Sequence, residues 1–330
     1  MKYIFLICIS AFSIAVHAQK PEIDLEGSYL KNLKKHPLTM VDTSSLYVND
    51  GDSKTLFYYA LVPNNPIKGV LIILPSTWEL AEEVFNNNIK LASMAYDSGI
   101  MTVVPSINFN LCMDETALGF LNAAFTDMLE KYTPPVNKIV IGGFSLGGMN
   151  AIRYTEAAYQ DSSRTRIKPV AVFGVDPPLD LVNLYYSFSR TVKKNMSVNA
   201  VGEARSYLER METQFGGTPE ESPELYTYYS MYSRNQPEGG NAKYLKTIPV
   251  RIYSDPDISW HLENRNSDLY DMNALDQTAM INALHQMGND RAVFINALGK
   301  GIRPNGMRHP HSWSLVEPVD CINWVIKCLH

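Results

Sequence analysis

Two apolar periods alternate along residues 45–328. Short β-branched runs bounded by turn residues predict buried strands, and stretches with apolar positions three and four apart predict helices between them. The expected strands are Val70–Leu74, Met101–Val104, Lys138–Gly142, Pro169–Val175, Pro249–Tyr253 and Arg291–Ala297. The expected helices are about Glu79–Asp97, stopped by Gly99, then Asp114–Lys131, Leu146 to about Tyr159, and a closing Val319–Cys328. Ahead of them, Ser45–Val48 and Thr55–Leu61 flank Asp50-Gly51-Asp52 and read as a hairpin. Strand–helix alternation of this kind predicts an α/β fold whose central sheet is mostly parallel and flanked by helices.

From about Leu179 to Thr247 that rhythm stops. This stretch lacks buried strand runs and carries eight of the chain's 19 tyrosines, among them Tyr185-Tyr186, Tyr226, Tyr228, Tyr229 and Tyr232. It reads as a helical cap inserted between two strands, over the carboxyl edge of the sheet. Its aromatic rings either pack the cap onto the main body or line a substrate pocket.

The first residues belong to neither pattern. Met1-Lys2 precedes an apolar run from Tyr3 to Val16, and Val16-His17-Ala18 places small residues at the positions that a signal peptidase reads. The run is shorter than the ~20 residues that a membrane-spanning helix needs. Residues 1–18 are therefore expected to be a signal peptide, sending the chain to the periplasm or outside the cell. Residues 19–330 contain no internal repeat, no low-complexity linker and no later span, so one domain without stable membrane insertion is expected. Its oligomeric state has no signature in the sequence.

Charge narrows the classes of partner. The chain of 330 residues has 29 Lys and Arg against 34 Asp and Glu, a net charge of −5, and no basic run to follow a phosphate backbone. Nucleic acid is not an expected partner. Cys321 and Cys328 are seven apart on an expected helix, ~10 Å by helical rise and too far for a disulfide. With Cys112 they read as buried apolar thiols.

The chemistry concentrates in Lys138-Ile139-Val140-Ile141-Gly142-Gly143-Phe144-Ser145-Leu146-Gly147-Gly148. Gly143 to Gly147 spells G-x-S-x-G between an apolar strand and a helix. Glycines two before and two after Ser145 leave room for a sharp strand-to-helix turn that lifts its hydroxyl above the sheet. The amide of Leu146 then points from a helix N-terminus toward the same spot, where an oxyanion would sit. The second oxyanion donor is expected from the loop after the first central strand, Leu74-Pro75-Ser76-Thr77-Trp78, through the amide of Ser76 or Thr77. Either residue would equally serve as a helix cap.

A serine hydroxyl near neutral pH needs a base, and the base needs an orienting acid. In chain order these should follow Ser145 as acid, then His, each at the end of a later strand. His311 is the preferred base, because Ser312-Trp313-Ser314-Leu315 begins the last helical region directly after it, and His309 is the alternative. His285 and His330 read as structural, and His261 follows Trp260 near the expected pocket. For the acid, the loop Ser254-Asp255-Pro256-Asp257 places Asp257 first and Asp255 second. Asp-Pro-Asp also makes a turn without chemistry. Asp176, in Asp176-Pro177-Pro178, is the third candidate and reads as shaping the entry to the cap.

On Gly143-Phe144-Ser145-Leu146-Gly147, the strand–helix order around it, the Asp255/Asp257 loop and the His311 loop, the chain resembles the α/β-hydrolase superfamily over about residues 45–328. The resemblance implies an eight-stranded, mostly parallel sheet and a Ser–His–acid triad that uses no metal or cofactor. Many members carry His-Gly after the first central strand; this chain has Pro75-Ser76. The function expected is a secreted serine hydrolase acting on a small-molecule or polymer-borne carboxylic ester. A serine peptidase and a non-catalytic binding protein on the same fold are the alternatives. No G-x-x-x-x-G-K-[ST], no G-x-G-x-x-G after a strand and no H-E-x-x-H accompanies these residues, so nucleotide and zinc-protease chemistry has no motif here.

Overall fold

The computed structural model of the chain describes residues 22–39, 46–48 and 55–330, so the expected signal peptide lies outside the described residues. A short helix α1 (Gly27–Lys31) leads into β1 (Leu33–Leu38), β2 (Leu56–Leu61) and β3 (Gly69–Leu74). Helices α2 (Ala81–Asn87) and α3 (Ile89–Asp97), strand β4 (Ile100–Pro105) and helix α4 (Glu115–Tyr132) follow. Then come β5 (Ile139–Phe144), α5 (Leu146–Gln160) and β6 (Ala171–Val175). Between β6 and the next strand stand α6 (Leu181–Lys194), α7 (Val198–Phe215), α8 (Pro223–Tyr229) and a kinked 3₁₀ run, Pro237–Leu245. The chain closes with β7 (Val250–Ser254), α9 (Ile258–Arg265), α10 (Ala274–Gln286), β8 (Ala292–Asn296) and α11 (Pro318–Leu329).

The strands form one eight-stranded sheet in the order β1-β2-β4-β3-β5-β6-β7-β8. From β4 to β8 every pairing is parallel, while β1–β2 and β2–β4 are antiparallel. All six residues of β3 are buried, and alternate side chains enter opposite layers. Val70, Ile72 and Leu74 pack with Leu121, Phe125 and Met128 of α4 and Met149 and Ile152 of α5. Leu71 and Ile73 face the other way, toward Val84 and Phe85 of α2, Leu91 of α3, and Ile322 and Val325 of α11. A strand covered on both faces has no polar side, which explains why its sequence is a continuous apolar run.

Two expectations need correction, and one strand was not expected. The hairpin at 45–61 does not form: Leu46–Val48 is not a strand, and the partner of β2 is β1, in register from Leu33↔Leu61 to Leu38↔Leu56. The rest of that proposed hairpin falls partly on residues outside the description. Strand β1, Leu-Lys-Lys-His-Pro-Leu, escapes a hydrophobic reading because it is an edge strand, where lysines and a proline guard against further pairing. The helix expected over Glu79–Asp97 is two helices broken at Asn88, whose side-chain amide turns back to the Val84 carbonyl at 2.9 Å. Three consecutive asparagines, Asn86–Asn88, offer the backbone such local alternatives.

The tyrosines between β6 and β7 mostly pack. Tyr226 is fully buried against Phe215 and Tyr185, and Tyr185 donates to Glu212 Oε1 at 2.6 Å. Helices α6 and α7 lie against each other and contribute one wall of the cleft at the carboxyl edge of the sheet, through Leu184, Phe188, Glu203 and Tyr207.

Candidate active site

Ser145 joins β5 to α5 with φ 54° and ψ −116°, a backbone state that a side chain rarely adopts. Such a conformation costs on the order of 1–3 kcal/mol and persists only where its surroundings enforce it. The glycines on either side are what permit it. A Cβ at Gly147 would stand 2.0 Å from the carbonyl oxygen of Leu74, and one at Gly143 would stand 2.4 Å from the carbonyl carbon of Gly147. The amide of Ser145 donates to the Val175 carbonyl at 2.9 Å, fixing the turn to the end of β6.

That hydrogen bond sets the geometry of what comes next. Phe144 pairs with Val175, and Val175 with Tyr253, so Ser145, Asp176 and Ser254 lie abreast at the strand ends. Neighbouring strands are ~4.8 Å apart, which puts Asp176 one strand from the serine and the Asp255 loop two strands away. Asp176 itself has φ 46° and is buried. Its Oδ2 meets Nδ1 of His311 at 2.6 Å, and its Oδ1 accepts from Gln277 Nε2 at 3.0 Å and Ser254 Oγ at 3.2 Å. Burial alone would raise this carboxyl's pKa. The hydrogen bond and charge of His311, with the Gln277 amide, outweigh burial and hold it below the usual carboxylate range. An ionised carboxylate only accepts, so Nδ1 of His311 carries a proton, and in the neutral imidazole Nε2 is the nitrogen with the lone pair. The imidazole also packs on Phe144, the residue before the serine, with ring centroids 4.5 Å apart.

Asp257, expected first as the orienting acid, makes none of its hydrogen bonds to His311. Its Oδ1 accepts from the Trp260 amide at 2.9 Å as the N-cap of α9, and its Oδ2 meets Arg308 at 2.8 Å. The Trp260 amide and Arg308 hold its pKa low, against partial desolvation. Asp255 is also engaged elsewhere. Its buried carboxylate accepts from the amides of Gly299 and Gly301 at 3.0 Å each and pairs with Arg308 at 2.7 Å. The Asp-Pro-Asp segment thus ties the strand-end loops together, and Asp176 stands in the position expected for Asp257.

His309 faces away from the carboxylate. Its Nε2 lies 3.2 Å from guanidinium nitrogens of both Arg265 and Arg303, and its ring stands edge-on to Trp260 at 4.8 Å. Guanidinium groups only donate, so Nε2 is the acceptor and Nδ1–H faces the carbonyl of His311 at 3.2 Å. Burial and the neighbouring cations push its pKa down to about 3. His261 lines the same cleft, with its pKa lowered mainly by burial. His285 bonds the Ala292 carbonyl at 2.6 Å, away from the cleft.

Of the two proposed oxyanion amides besides that of Leu146, Ser76 is taken: its N–H donates to Glu79 Oε2 at 2.9 Å. The Thr77 amide has no acceptor among the described residues, and the Thr77 hydroxyl accepts from Tyr207 of α7 at 2.7 Å. Glu79 and Tyr207 were not foreseen from the sequence. Glu79 is a hub behind the Ser76–Thr77 loop. Besides the Ser76 amide it receives Asn87 Nδ2 at 2.8 Å and the Trp313 indole N–H at 2.6 Å. Burial raises its pKa to about 7 against those three donors. The indole of Trp313 lies 5.5 Å from Phe144, so this one carboxylate joins the Ser76–Thr77 loop to the loop that carries His311. No periodicity marks such a residue; only the Ser76–Glu79 spacing, which resembles a helix cap, hints at it.

Ser145, His311, Asp176 and Thr77 all line one cavity of about 260 Å³, and Ser145, His311 and Thr77 also face a wider adjoining cleft that includes Ser76 and Trp313. Leu111, Leu146, Met149, Leu179 and Phe188 are among the apolar residues that line the smaller cavity.

No family model matches the chain, and no curated protein matches it. Solved structures do. The carboxyl esterase 2 of the mycorrhizal fungus Tuber melanosporum is 14% identical with a TM-score of 0.57, over 98% of this chain and 96% of that one. An S-formylglutathione hydrolase from Agrobacterium tumefaciens is 11% identical with a TM-score of 0.53, over 90% and 95% of the two chains. A carboxylesterase from Lactobacillus plantarum is 14% identical with a TM-score of 0.52, over 89% and 97%. At these identities the likeness is one of fold, and the fold is that of the α/β-hydrolases.

Proposed function

We propose that the protein is a carboxylic-ester hydrolase in which Ser145 is the nucleophile, His311 the general base and acid, and Asp176 the orienting carboxylate. The observation that carries this reading is the 2.6 Å contact between His311 and Asp176 beside a serine held at positive φ in the same cavity. The esterases among the structural neighbours point the same way.

In this reading Nε2 of His311 takes the proton of Ser145 as Oγ attacks the ester carbonyl. The amides of Leu146 and Thr77 donate to the oxyanion that develops. The imidazolium, steadied by ionised Asp176, then passes its proton to the leaving alkoxide. Water repeats the sequence on the acyl-enzyme, with His311 again as base. Glu79 positions this apparatus from behind, without touching substrate. Export to the periplasm or beyond is part of the proposal and rests on residues 1–18 alone.

Treatment of the 19–330 chain with a fluorophosphonate, followed by mass spectrometry, tests the assignment. Label should appear on Ser145, vanish in Ser145→Ala and His311→Ala, and persist in His309→Ala. A folded chain that takes no label would leave the fold as a binding scaffold. Paired aryl ester and anilide substrates then separate esterase from peptidase.

A further inference from the structure

Most carboxylates and arginines near the cavity have partners. Asp271 pairs with Arg190 and Lys194, Asp276 with Arg234, and Asp255 and Asp257 with Arg308. Arg265 and Arg303 do not follow that pattern. Each places a guanidinium nitrogen 3.2 Å from Nε2 of His309, so the two nitrogens stand no more than about 6.4 Å apart. Neither makes an ion pair among the described residues, and both line the cavity that holds Ser145. Glu203 of α7 lines the same cavity and acts on Arg303 through its charge, without forming an ion pair with it.

Two cations converging on one neutral ring repel each other, and neither has an acidic partner within ion-pair distance among the described residues. Arg303 stays charged and partly open to solvent, with its pKa lowered first by partial desolvation and next by the charge of Arg265. An anion between the two forks relieves both conditions, and a carboxylate suits them best: it is planar, carries two oxygens and matches the guanidinium fork. The like-charge contact is also braced from outside. His309 is fixed by Trp260 on one side and by the backbone of His311 on the other, two residues from the proposed base.

We infer that Arg265 and Arg303 form a carboxylate-binding subsite beside Ser145, so that the preferred substrates are esters that also carry a free carboxylate. This rests on the hydrolase reading of the same cavity and narrows it from esters in general to anionic ones.

The test compares matched esters in two arms. Mono-p-nitrophenyl glutarate against p-nitrophenyl valerate places the carboxylate on the acyl side, and 4-carboxyphenyl acetate against phenyl acetate places it on the leaving group. In at least one arm the anionic ester should be favoured by tenfold or more in kcat/KM. That ratio should fall at least tenfold in R265Q/R303Q and recover in part in R265K/R303K. An anionic preference in neither arm, or one that survives R265Q/R303Q, overturns the inference. A separate readout needs no turnover: glutarate should raise the melting temperature of Ser145→Ala and leave Ser145→Ala combined with R265Q/R303Q unmoved. Glutarate stabilisation that depends on the arginines, in a chain that hydrolyses no ester and takes no phosphonate label, would remove the hydrolase reading and keep the anion site. Hydrolysis with no anionic preference would do the reverse.

Discussion

Two strand ends next to each other in the sheet carry Asp-Pro turns, and only one of them reaches the histidine. After β6 the chain reads Val175-Asp176-Pro177-Pro178; after β7 it reads Ser254-Asp255-Pro256-Asp257. Both turns place carboxylates at the carboxyl edge, both lie in or beside the cleft, and by residue type they are equivalent. The register separates them. Asp176 is abreast of Ser145 on the adjacent strand, while Asp255 lies one residue beyond the level of Ser254 on the strand after that. Asp176 then leaves the strand at φ 46°, a state that Asp tolerates better than most residues, and this aims its carboxylate at His311. The Asp255–Asp257 turn aims its two carboxylates at Arg308 and at backbone amides. Position relative to the strand that leads into Ser145, more than the residue motif, decides which acid reaches His311.

The sharpest way to break that comparison is to exchange the roles. Asp176→Asn should lower kcat on an aryl ester by roughly 10³–10⁴-fold with the fold intact, because an amide at that place disfavours the His311 tautomer whose Nε2 is free. Asp257→Asn should leave kcat far closer to wild type. Equal losses in the two variants, measured by steady-state kinetics on folded protein, would return the role to the Asp257 loop.

Next in size is Glu79, which neither turn contains but which links the Ser76–Thr77 loop to the His311 loop. Glu79→Gln turns an N–H toward one of three donors, the Ser76 amide, Asn87 or the Trp313 indole. A misplacement of that loop by a fraction of an ångström should cost kcat roughly ten- to hundredfold. KM should change less, since no substrate contact is removed. A KM effect as large as the kcat effect would place Glu79 in binding instead.

The other turn should answer in stability. Asp255→Asn weakens charge-assisted hydrogen bonds to two glycine amides and Arg308, and should lower the unfolding free energy by about 2–3 kcal/mol in urea titrations. Asp257→Ala removes only the N-cap of α9 and an exposed share of the Arg308 pair, worth about 1 kcal/mol.

The same contrast shows how far the sequence carries. The buried strands announce themselves because β3, β5 and β6 are covered on both faces, and the elbow announces itself because Gly143 and Gly147 have no substitute against Leu74. Edge strand β1 does not, since Lys34, Lys35 and Pro37 are there to prevent pairing and look like loop. The acid is ambiguous for another reason. Asp favours turns whether or not it has chemistry to do, and the choice between Asp176 and Asp257 depends on strand order, which no local pattern contains. Glu79, Arg265 and Arg303 act through contacts between distant segments and leave no periodic trace.

The smallest expected effect concerns the second histidine, His309, which burial and the neighbouring arginines keep neutral. Its folded-state pKa of about 3 lies below the value near 6.5 for a histidine in an unfolded chain. Between those values the unfolded chain binds a proton that the folded one refuses, so stability falls as pH drops below about 6.5 and the loss is complete near 3. From pH 6.5 to 5.5 this amounts to somewhat under 1 kcal/mol, since the ring is only half-buried and water screens part of it. His309→Gln keeps a polar partner for the arginines and removes the titration. Its urea midpoint should therefore fall less than that of the wild type over the same pH step. Parallel declines would mean that burial and the arginines do not hold His309 neutral. The convergence of two cations on a single unprotonated ring, which separates this histidine from His311 two residues away, would then need another anion to explain it.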